Sequence, residues 1–446
     1  MSAFATLSDR SLRLLVLAVA VLVPLSAWLL GAVVGPRGQA ASGAICFIAL
    51  CAALSTNLRA VSWRTVGWGV ALQVLLAIFI LKLEIGGVRP GYAMFSAVAE
   101  VVKRFLEFTN AGSSFVFGAL ANQGAMGSVF GPQNSFVFAF AALPTIIFIS
   151  SFFTVLYYFG VLQVIVWLMA RVMMYILRTS GAETLSAAAN VFMGQTEAPI
   201  IVKPYVPAMT RSELLALMVG GMATISGGVM AVYIAIGADP IAILTTSVMA
   251  APCGLYLSKL LVPETETPQT RGAIELRVER HHVNVIDAAA AGAGDGLTLA
   301  LNVAAMLIAF LAFIALLDAL LGFVSPGLTL AGIFAVVFAP VAFLMGVPAA
   351  DIGAIADLLG TKLVANEFVA FVKLTSEYKD IDPRSYVLAT YALTGFANLG
   401  SIGIQLGGIG GMAPTRRADL ARLGGRAILA GFLATLVNAC IASMLL

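Results

Sequence analysis

Apolar segments long enough to cross a lipid bilayer follow one another along most of the chain. The predicted crossings lie at residues 14–34, 43–57, 64–84, 136–163, 213–236, 241–261, 296–322, 385–411 and 427–446. A helix needs about 20 residues to span the hydrocarbon core, and the apolar positions recur with helical rather than alternating spacing. The pattern therefore predicts an all-α polytopic membrane protein.

Basic residues in the short connections predict the orientation of these helices. Arg10 and Arg13 precede the first crossing. Arg59 and Arg64 follow the second crossing, whereas only Arg37 lies between the two. Because positively charged connections stay in the cytoplasm, we expect the N-terminus inside the cell. The first apolar run exceeds the roughly 15 residues of a signal peptide, so we expect a retained, extra first helix.

The stretch from residue 86 to residue 133 is richer in Gly, Pro and Ser than the crossings around it. A short charged helix near 97–109 carries an apolar face and is expected to lie in the membrane interface. Residues 164–178, with Arg171 and Arg178, are expected to return the chain to the inner surface.

Polar side chains interrupt the apolar pattern most sharply within residues 190–203. They are Gln195, Thr196 and Glu197. An ionisable group at membrane depth costs at least about 2.5 kcal/mol and is retained where it faces a cavity or a ligand. Gly194 and Pro199 on either side would interrupt a helix. We therefore predict a re-entrant hairpin over about 180–208, with this segment at its tip.

A second segment, 348–373, repeats this anomaly. Glu367 is followed six residues later by Lys373, just as Glu197 is followed by Lys203. Each hairpin is followed by a polar turn, a helix containing Gly and Ser, and a final apolar helix. The helices at 213–236 and 385–411 have the composition of helices that are unwound in the middle, although tight helix packing would also explain the first of them.

The two halves are predicted to have opposite orientations. Counting crossings places the second hairpin on the outer side if 328–346, interrupted by Pro340, does not cross. Inverted repeats with discontinuous helices are typical of secondary transporters, which bind substrate near the bilayer midplane. The fold class predicted is an inverted-repeat secondary transporter with two opposed re-entrant hairpins.

Composition also indicates a membrane protein and limits the kinds of partner that we expect. The chain is 61% hydrophobic and 11% charged with a mean hydropathy of +1.01, whereas about a quarter of residues are charged in soluble domains. The net charge of +3 comes from basic residues spread over short loops. That pattern indicates a lipid bilayer as partner and no nucleic acid.

The polar tips favour a neutral, hydrogen-bonding substrate. The Glu367 carboxylate can accept two hydrogen bonds from a vicinal diol, and Gln195 can both donate to and accept from an amide-like base edge. Neither tip contains an arginine of the kind that binds anions. Carbonyl groups freed near Thr224, together with Asn190, could hold a small hard cation such as sodium.

Three motifs, at residues 194–199, 364–370 and 395–403, resemble the signatures of the concentrative nucleoside transporters. The similarity extends from about residue 43 to the end. It implies a homotrimer in which a mobile transport domain moves like an elevator against a trimeric scaffold.

On this basis we expect N-terminal scaffold helices at 1–85, interfacial helices with a scaffold span at 86–178, a first transport repeat at 179–262, a loop with a scaffold helix at 263–346, and a second transport repeat at 347–446.

The resemblance also implies roles for individual residues. The nucleobase would contact Gln195, Thr196 and Glu197, with Val229 as an apolar wall. The ribose hydroxyls would bind Glu367, Asn398 and Ser401, with Phe396 nearby. Sodium would bind Asn190, the carbonyls of Met193 and Ile225, and the Thr224 hydroxyl.

The function expected is sodium-coupled uptake of nucleosides such as uridine across the inner membrane of a bacterium, without enzymatic chemistry. Three alternatives remain open. The coupling ion could be the proton, the substrate could be a free base or sugar, or the two carboxylates could serve an intramembrane enzyme as acid and base. A channel fits two opposed re-entrant tips less well than a carrier does.

Overall fold

The computed structural model describes residues 9–131, 137–272 and 282–446. Within these ranges the regular elements are helices, together with one isolated bridge between Ile85 and Val88. Eight helical segments of the described chain are long and apolar enough to cross a membrane. The predicted all-α membrane architecture is therefore confirmed.

The N-terminal part contains six helices. They are α1 (Asp9–Leu29), α2 (Gly31–Ala53), α3 (Trp63–Leu81), α4 (Pro90–Glu107), α5 (Thr109–Phe117) and α6 (Gln123–Phe130). The second crossing, predicted to start at residue 43, begins at Val33 instead. The polar residues Arg37 and Gln39 lower the hydropathy of this first part of the helix, so the sequence pattern did not predict it. Gly35, with φ of 63°, kinks the helix. Helix α4 begins before the predicted interfacial helix.

The chain continues through α7 (Phe138–Ala141), α8 (Leu143–Tyr158), α9 (Val161–Leu177) and, later, α15 (Val285–Val324). Helices α8 and α15 pack together as an antiparallel pair. A Cβ atom on Gly296 would lie 2.7 Å from the Ile147 Cα, so glycine is needed for α15 to approach α8 this closely. Helix α15 starts eleven residues before the predicted 296.

The first repeat contains the predicted hairpin and an interrupted helix. Its elements are α10 (Gly181–Ala189), α11 (Ala198–Ile201), α12 (Arg211–Ala223), α13 (Gly227–Ala235) and α14 (Pro240–Leu261). Residues 224–226 are not helical and separate α12 from α13. Of the two readings that the sequence allowed for this segment, the structure shows the unwound helix.

The second repeat has the same order. It comprises α18 (Ile352–Val364), α19 (Glu367–Ser376), α20 (Pro383–Leu393), α21 (Leu399–Met412) and α22 (Arg417–Leu445), and it is preceded by the short helices α16 (Leu330–Val337) and α17 (Ala339–Leu344). Helices α16 and α17 are 8 and 6 residues long, too short to cross a bilayer separately. Helices α18 and α19 form the second hairpin, and α20 and α21 are separated at 394–398.

Helix α22 shows that the two hairpins enter the protein from opposite ends. At its start, Arg416 donates hydrogen bonds to the carbonyls of Pro207 and Met209, at the base of the first hairpin, over 3.1 and 2.5 Å. Near its end, Ser443 accepts a hydrogen bond of 2.7 Å from Arg384, which follows the second hairpin. These two contacts are about 40 Å apart along a helix that rises about 1.5 Å per residue.

Buried ion pairs fix the base of the first hairpin. Lys259 of α14 lies 2.6 Å from the Glu183 carboxylate of α10. Ser180, the N-cap residue of α10, donates a hydrogen bond of 2.5 Å to Glu213 of α12. Because a buried charge requires a partner, these contacts hold the hairpin against α12 and α14.

The second hairpin is fixed differently. Lys373 forms an ion pair with Asp357 of the other hairpin arm, and Tyr378 donates a hydrogen bond of 2.8 Å to the same carboxylate. Lys203, which matches Lys373 in the sequence repeat, is exposed. The similarity between the Glu-to-Lys spacings therefore does not extend to the roles of the two lysines.

The two helix interruptions touch each other at the centre of the molecule. The Phe396 amide donates a hydrogen bond of 3.2 Å to the Thr224 carbonyl. Gly395 has φ of 151°, and a Cβ atom there would lie 2.7 Å from Thr435 Cγ2 and 3.0 Å from the Met222 carbonyl oxygen. Both its conformation and its close contacts require glycine.

We predict that Gly395→Ala lowers the free energy of unfolding by about 1 to 3 kcal/mol, because alanine would be strained at this φ and would push the two interruptions apart. Thermal unfolding in detergent, followed by loss of the monodisperse elution peak, measures the effect. Gly403→Ala in α21 is the matched control, since no described atom beyond its chain neighbours and its own helix backbone lies within 4 Å of a Cβ atom there. Equal midpoints for the two variants would contradict this role of Gly395.

Candidate functional site

A cavity of about 200 Å³ lies where the two hairpin tips and the two helix interruptions meet. All eight residues predicted to contact substrate line it: Gln195, Thr196, Glu197, Val229, Glu367, Phe396, Asn398 and Ser401. They come from four separate segments of the chain. The structure therefore brings together every residue of the predicted substrate set.

Two side-chain hydrogen bonds hold Glu367 in place at this cavity. It is the first residue of α19, and its carboxylate accepts hydrogen bonds from Tyr233 Oη at 3.0 Å and Asn398 Nδ2 at 2.9 Å. A carboxylate has about four lone-pair positions. Two acceptor positions therefore remain for a ligand on a side chain that is already fixed.

Three helices begin at the cavity, and each is capped by a side chain that lines it. Asn366 Oδ1 accepts from the Val369 amide of α19 at 2.8 Å. Asn398 Oδ1 accepts from the Ser401 amide of α21 at 2.9 Å, and Ser226 caps α13 in the same way. Helix N-termini carry partial positive charge, so this arrangement favours a negatively charged Glu367.

The tip of the first hairpin brings an amide to the opposite side. Gln195 Nε2 donates to Ser401 Oγ over 3.3 Å, whereas the buried Gln195 Oε1 has no hydrogen-bond partner among the described residues. The side chain of Glu197 is exposed to the cavity. Thr196 packs against α21. Its methyl group lies so close to Gly408 that a Cβ atom on this glycine would be only 2.9 Å away.

Sequence reasoning missed Tyr233 and the wall contributed by α15. This wall consists of Leu299, Val303, Met306, Leu307 and Phe310. Their spacing of three and four residues places them on one helical face. Residues 299–310 include a single polar residue, Asn302, so the sequence does not reveal which face meets the cavity. Tyr233 could have been found from its position within an apolar helix, because a buried phenol hydroxyl usually has a hydrogen-bond partner.

The predicted sodium ligands lie next to each other at the end of α12. Thr224 Oγ1 donates to the Gly220 carbonyl over 2.9 Å, and Asn190 Nδ2 would lie 2.9 Å from a Cβ atom on the same glycine. The Gly227 amide donates to the Phe192 carbonyl over 2.9 Å, which brings the segment containing Met193 to the interruption containing Ile225.

An unpartnered oxygen marks this group of residues as suitable for a cation. Asn190 is fully buried, and its Oδ1 has no hydrogen-bond partner among the described residues, although its Nδ2 donates to Ser186. A buried acceptor without a donor is unfavourable unless something positive approaches it. Hydroxyl, amide and carbonyl oxygens are the ligands that a small hard cation prefers.

The second half carries a lysine at the corresponding helix end. The Lys362 ammonium is fully buried and donates to the Ala392 carbonyl of α20 at 2.7 Å and to Thr435 Oγ1 at 3.0 Å. Helix C-termini attract positive charge. The end of α20 thus has a lysine amine as hydrogen-bond donor, whereas the end of α12 meets Asn190.

Family models match almost the whole chain beyond the first helix. Residues 42–120 match the N-terminal model and residues 242–443 the C-terminal model of the Na+ dependent nucleoside transporters. Residues 139–240 match a model described as nucleoside recognition.

Relatives from bacteria and mammals are similar over most of this chain. An uncharacterised transporter of Haemophilus influenzae is 42% identical over 90% of this chain and 96% of its own length. Sodium/nucleoside cotransporter 1 of Mus musculus is also 42% identical, over 91% of this chain. The chain spans 63% of the length of that mouse protein.

Solved structures share the fold. The structure of CNTnw in an inward-facing, substrate-bound state superposes with a TM-score of 0.87 at 40% identity, covering 91% of this chain and 97% of that chain. A variant of CNTnw in an outward-facing state gives a TM-score of 0.85 at 39% identity, covering 92% of this chain and 97% of that one. These matches confirm the inverted-repeat, elevator-type fold class. The chain belongs to the concentrative, Na+ dependent nucleoside transporters, a family of multi-pass membrane carriers rather than enzymes.

Proposed function

We propose that this chain takes up nucleosides such as uridine across the bacterial inner membrane, coupled to sodium entry. The observation that carries the proposal is the pairing of two groups across one cavity. Glu367 is held by Tyr233 and Asn398 with two acceptor positions left, and Gln195 offers a buried amide oxygen that has no partner in the part of the chain that the structure describes. A ribose diol and a nucleobase amide edge supply the complementary donors and acceptors.

The polar contacts of the cavity support a division of roles. The ribose binds Glu367, Asn398 and Ser401, which lie together at the starts of α19 and α21. The base binds Gln195, Thr196 and Glu197 at the other tip, directly or through water. Val229 and Phe396 form apolar walls beside the base and the sugar.

Alternating access follows from the placement of this cavity between opposed hairpins. We infer that the two repeats, 179–262 and 347–446, form a transport domain that moves like an elevator against a scaffold of 1–85, 86–178 and 263–346. The cavity wall formed by α15 is apolar, so it makes no hydrogen bonds that would oppose sliding. A homotrimer of such scaffolds is part of the proposal.

Sodium is proposed to bind Asn190, Thr224 and the carbonyls of Met193 and Ile225. Bound there, it would join the first hairpin tip to the interruption between α12 and α13. Ion binding would therefore order the part of the site that carries Gln195 and Glu197, which couples the ion to the substrate.

We predict that proteoliposomes containing the full chain accumulate radiolabelled uridine above equilibrium when an inward sodium gradient is imposed. An inward proton gradient alone, or no gradient, should allow equilibration at most. Unlabelled uridine should compete strongly, whereas uracil and ribose should compete weakly because each offers only part of the hydrogen-bonding set.

Accumulation with protons only would preserve the nucleoside substrate and discard the sodium site. Stronger competition by uracil or ribose would favour a carrier for that solute. No uptake under any gradient, with the protein shown to be folded, would contradict the proposed function.

We predict that Glu367→Gln lowers uridine affinity by at least about tenfold, because a hydrogen bond to a charged group contributes about 1.5 to 3 kcal/mol. An amide also presents a donor to either Tyr233 or Asn398, both of which donate to the carboxylate. Equilibrium binding of labelled uridine to purified protein measures the loss.

Tyr233→Phe is the matched control for this substitution. It removes one hydrogen bond to Glu367 but keeps the carboxylate, so its effect on affinity should be smaller than that of Glu367→Gln. Unaltered affinity in Glu367→Gln would remove Glu367 from the ribose site.

We predict that Asn190→Ala raises the sodium concentration for half-maximal uridine uptake by about tenfold, as expected for the loss of one interaction with a charged group. Uridine affinity at saturating sodium should change little, because Asn190 does not line the substrate cavity. Asn110→Ala, at an exposed position of α5, is the control. A loss of uridine binding that no sodium concentration restores would count against this assignment.

A further inference from the structure

Four arginines from separate parts of the chain surround a second cavity, of about 710 Å³. Arg64 lies in the first turn of α3, Arg171 in α9, Arg178 at the end of α9, and Arg271 in the connection after α14. These residues lie far apart in the sequence. The fold instead collects them into one basic cavity, which we call the arginine cavity.

The arginine cavity has no acidic residue among its described lining residues. Its other members are Trp68, Met174, Tyr175, Ile176, Thr179 and Gly272. Like charges held near one another repel. An anion bound between the four arginines would therefore stabilise the cluster. Guanidinium groups are especially suited to phosphate, which they can bind with two parallel hydrogen bonds.

The surroundings of the cavity are those of a lipid-facing surface. Helix α9 exposes Val164, Leu168 and Val172 by 65, 58 and 49%. Trp68 and Tyr175, two lining residues, are exposed by 51 and 85%. Aromatic side chains of this kind are enriched at the boundary between headgroups and acyl chains. An anion bound here thus lies next to an apolar surface that suits hydrocarbon tails.

We propose that the arginine cavity binds the phosphodiester headgroup of an anionic phospholipid from the cytoplasmic leaflet. A lipid with two phosphates, such as a diphosphatidylglycerol, matches four arginines better than a lipid with one. Basic cavities between helices on the cytoplasmic side are suitable for such headgroups, and the positively charged connections place this end of the protein in the cytoplasm.

The position of the cavity gives the lipid a structural role. Thr65, next to Arg64, donates to the Leu177 carbonyl of α9 over 3.1 Å. Thr270, next to Arg271, accepts from the Gly181 amide at the start of the first hairpin over 2.9 Å. A headgroup that bridges these arginines therefore joins α3 and α9 to the base of the first hairpin, and its binding should stabilise the folded protein.

The test compares lipid binding to the full-length protein and to two triple variants by native mass spectrometry. One is Arg64→Gln, Arg171→Gln, Arg271→Gln. The control is Arg417→Gln, Arg422→Gln, Arg426→Gln, which removes the same charge from exposed positions of α22. Arg178 is retained because it ends α9 with a positive φ of 56°.

We expect the first variant to lose affinity for diphosphatidylglycerol by about fivefold per arginine removed, with the control unchanged within about twofold. Phosphatidylglycerol should bind wild-type protein more weakly, and phosphatidylcholine should not compete. Equal losses in both variants would overturn the proposal. Displacement of the lipid by inorganic pyrophosphate at equal concentration would assign the cavity to a soluble anion instead.

A second measurement uses wild-type protein only and applies even if the first variant fails to fold. Adding diphosphatidylglycerol to protein purified in detergent should raise the thermal unfolding midpoint, whereas phosphatidylcholine and pyrophosphate should not. No shift with diphosphatidylglycerol would overturn the proposal. Neither readout involves transport, so the result is independent of the proposed substrate.

Discussion

The hydrogen bond between the Phe396 amide and the Thr224 carbonyl is the contact on which the centre of this protein depends. Within a membrane, unwound backbone is tolerated only where it is buried in protein or lines a cavity. Here the two helix interruptions partly satisfy one another, and Gly395 allows their backbones to approach. As a result, α13 and α21 both begin at the cavity, with the residues that cap them.

The central region contains two kinds of site, one formed by helix N-termini and the other by helix C-termini. The starts of α13, α19 and α21 surround the cavity, where partial positive charge and free N–H groups favour acceptors such as Glu367. The ends of α12 and α20 carry partial negative charge and favour cations. The Lys362 amine donates to the end of α20, whereas α12 faces the Asn190 oxygen, which has no hydrogen-bond partner among the described residues. This difference explains why a soluble ion is proposed for only one of two related helix ends.

Among the described residues, the ion pairs that hold the hairpins lie at their bases rather than at their tips. Lys259 fixes the first hairpin to α14 through Glu183, and Asp357 joins the two arms of the second through Lys373. Apolar side chains of α15 line the cavity from the scaffold side. At the cavity, therefore, the surface along which the repeats would slide is apolar.

The sequence by itself determined the membrane class and indicated the two hairpins, because isolated polar groups in apolar segments are costly and conspicuous. Its family motifs pointed to the eight residues predicted to contact substrate. Its family motifs also placed Asn190 and Thr224 at one position. Only the tertiary structure decided that 213–236 is unwound, that Tyr233 holds Glu367, and that Arg64 and Arg271 share a cavity. These facts depend on contacts between residues far apart in the chain, which local hydrophobic patterning does not encode.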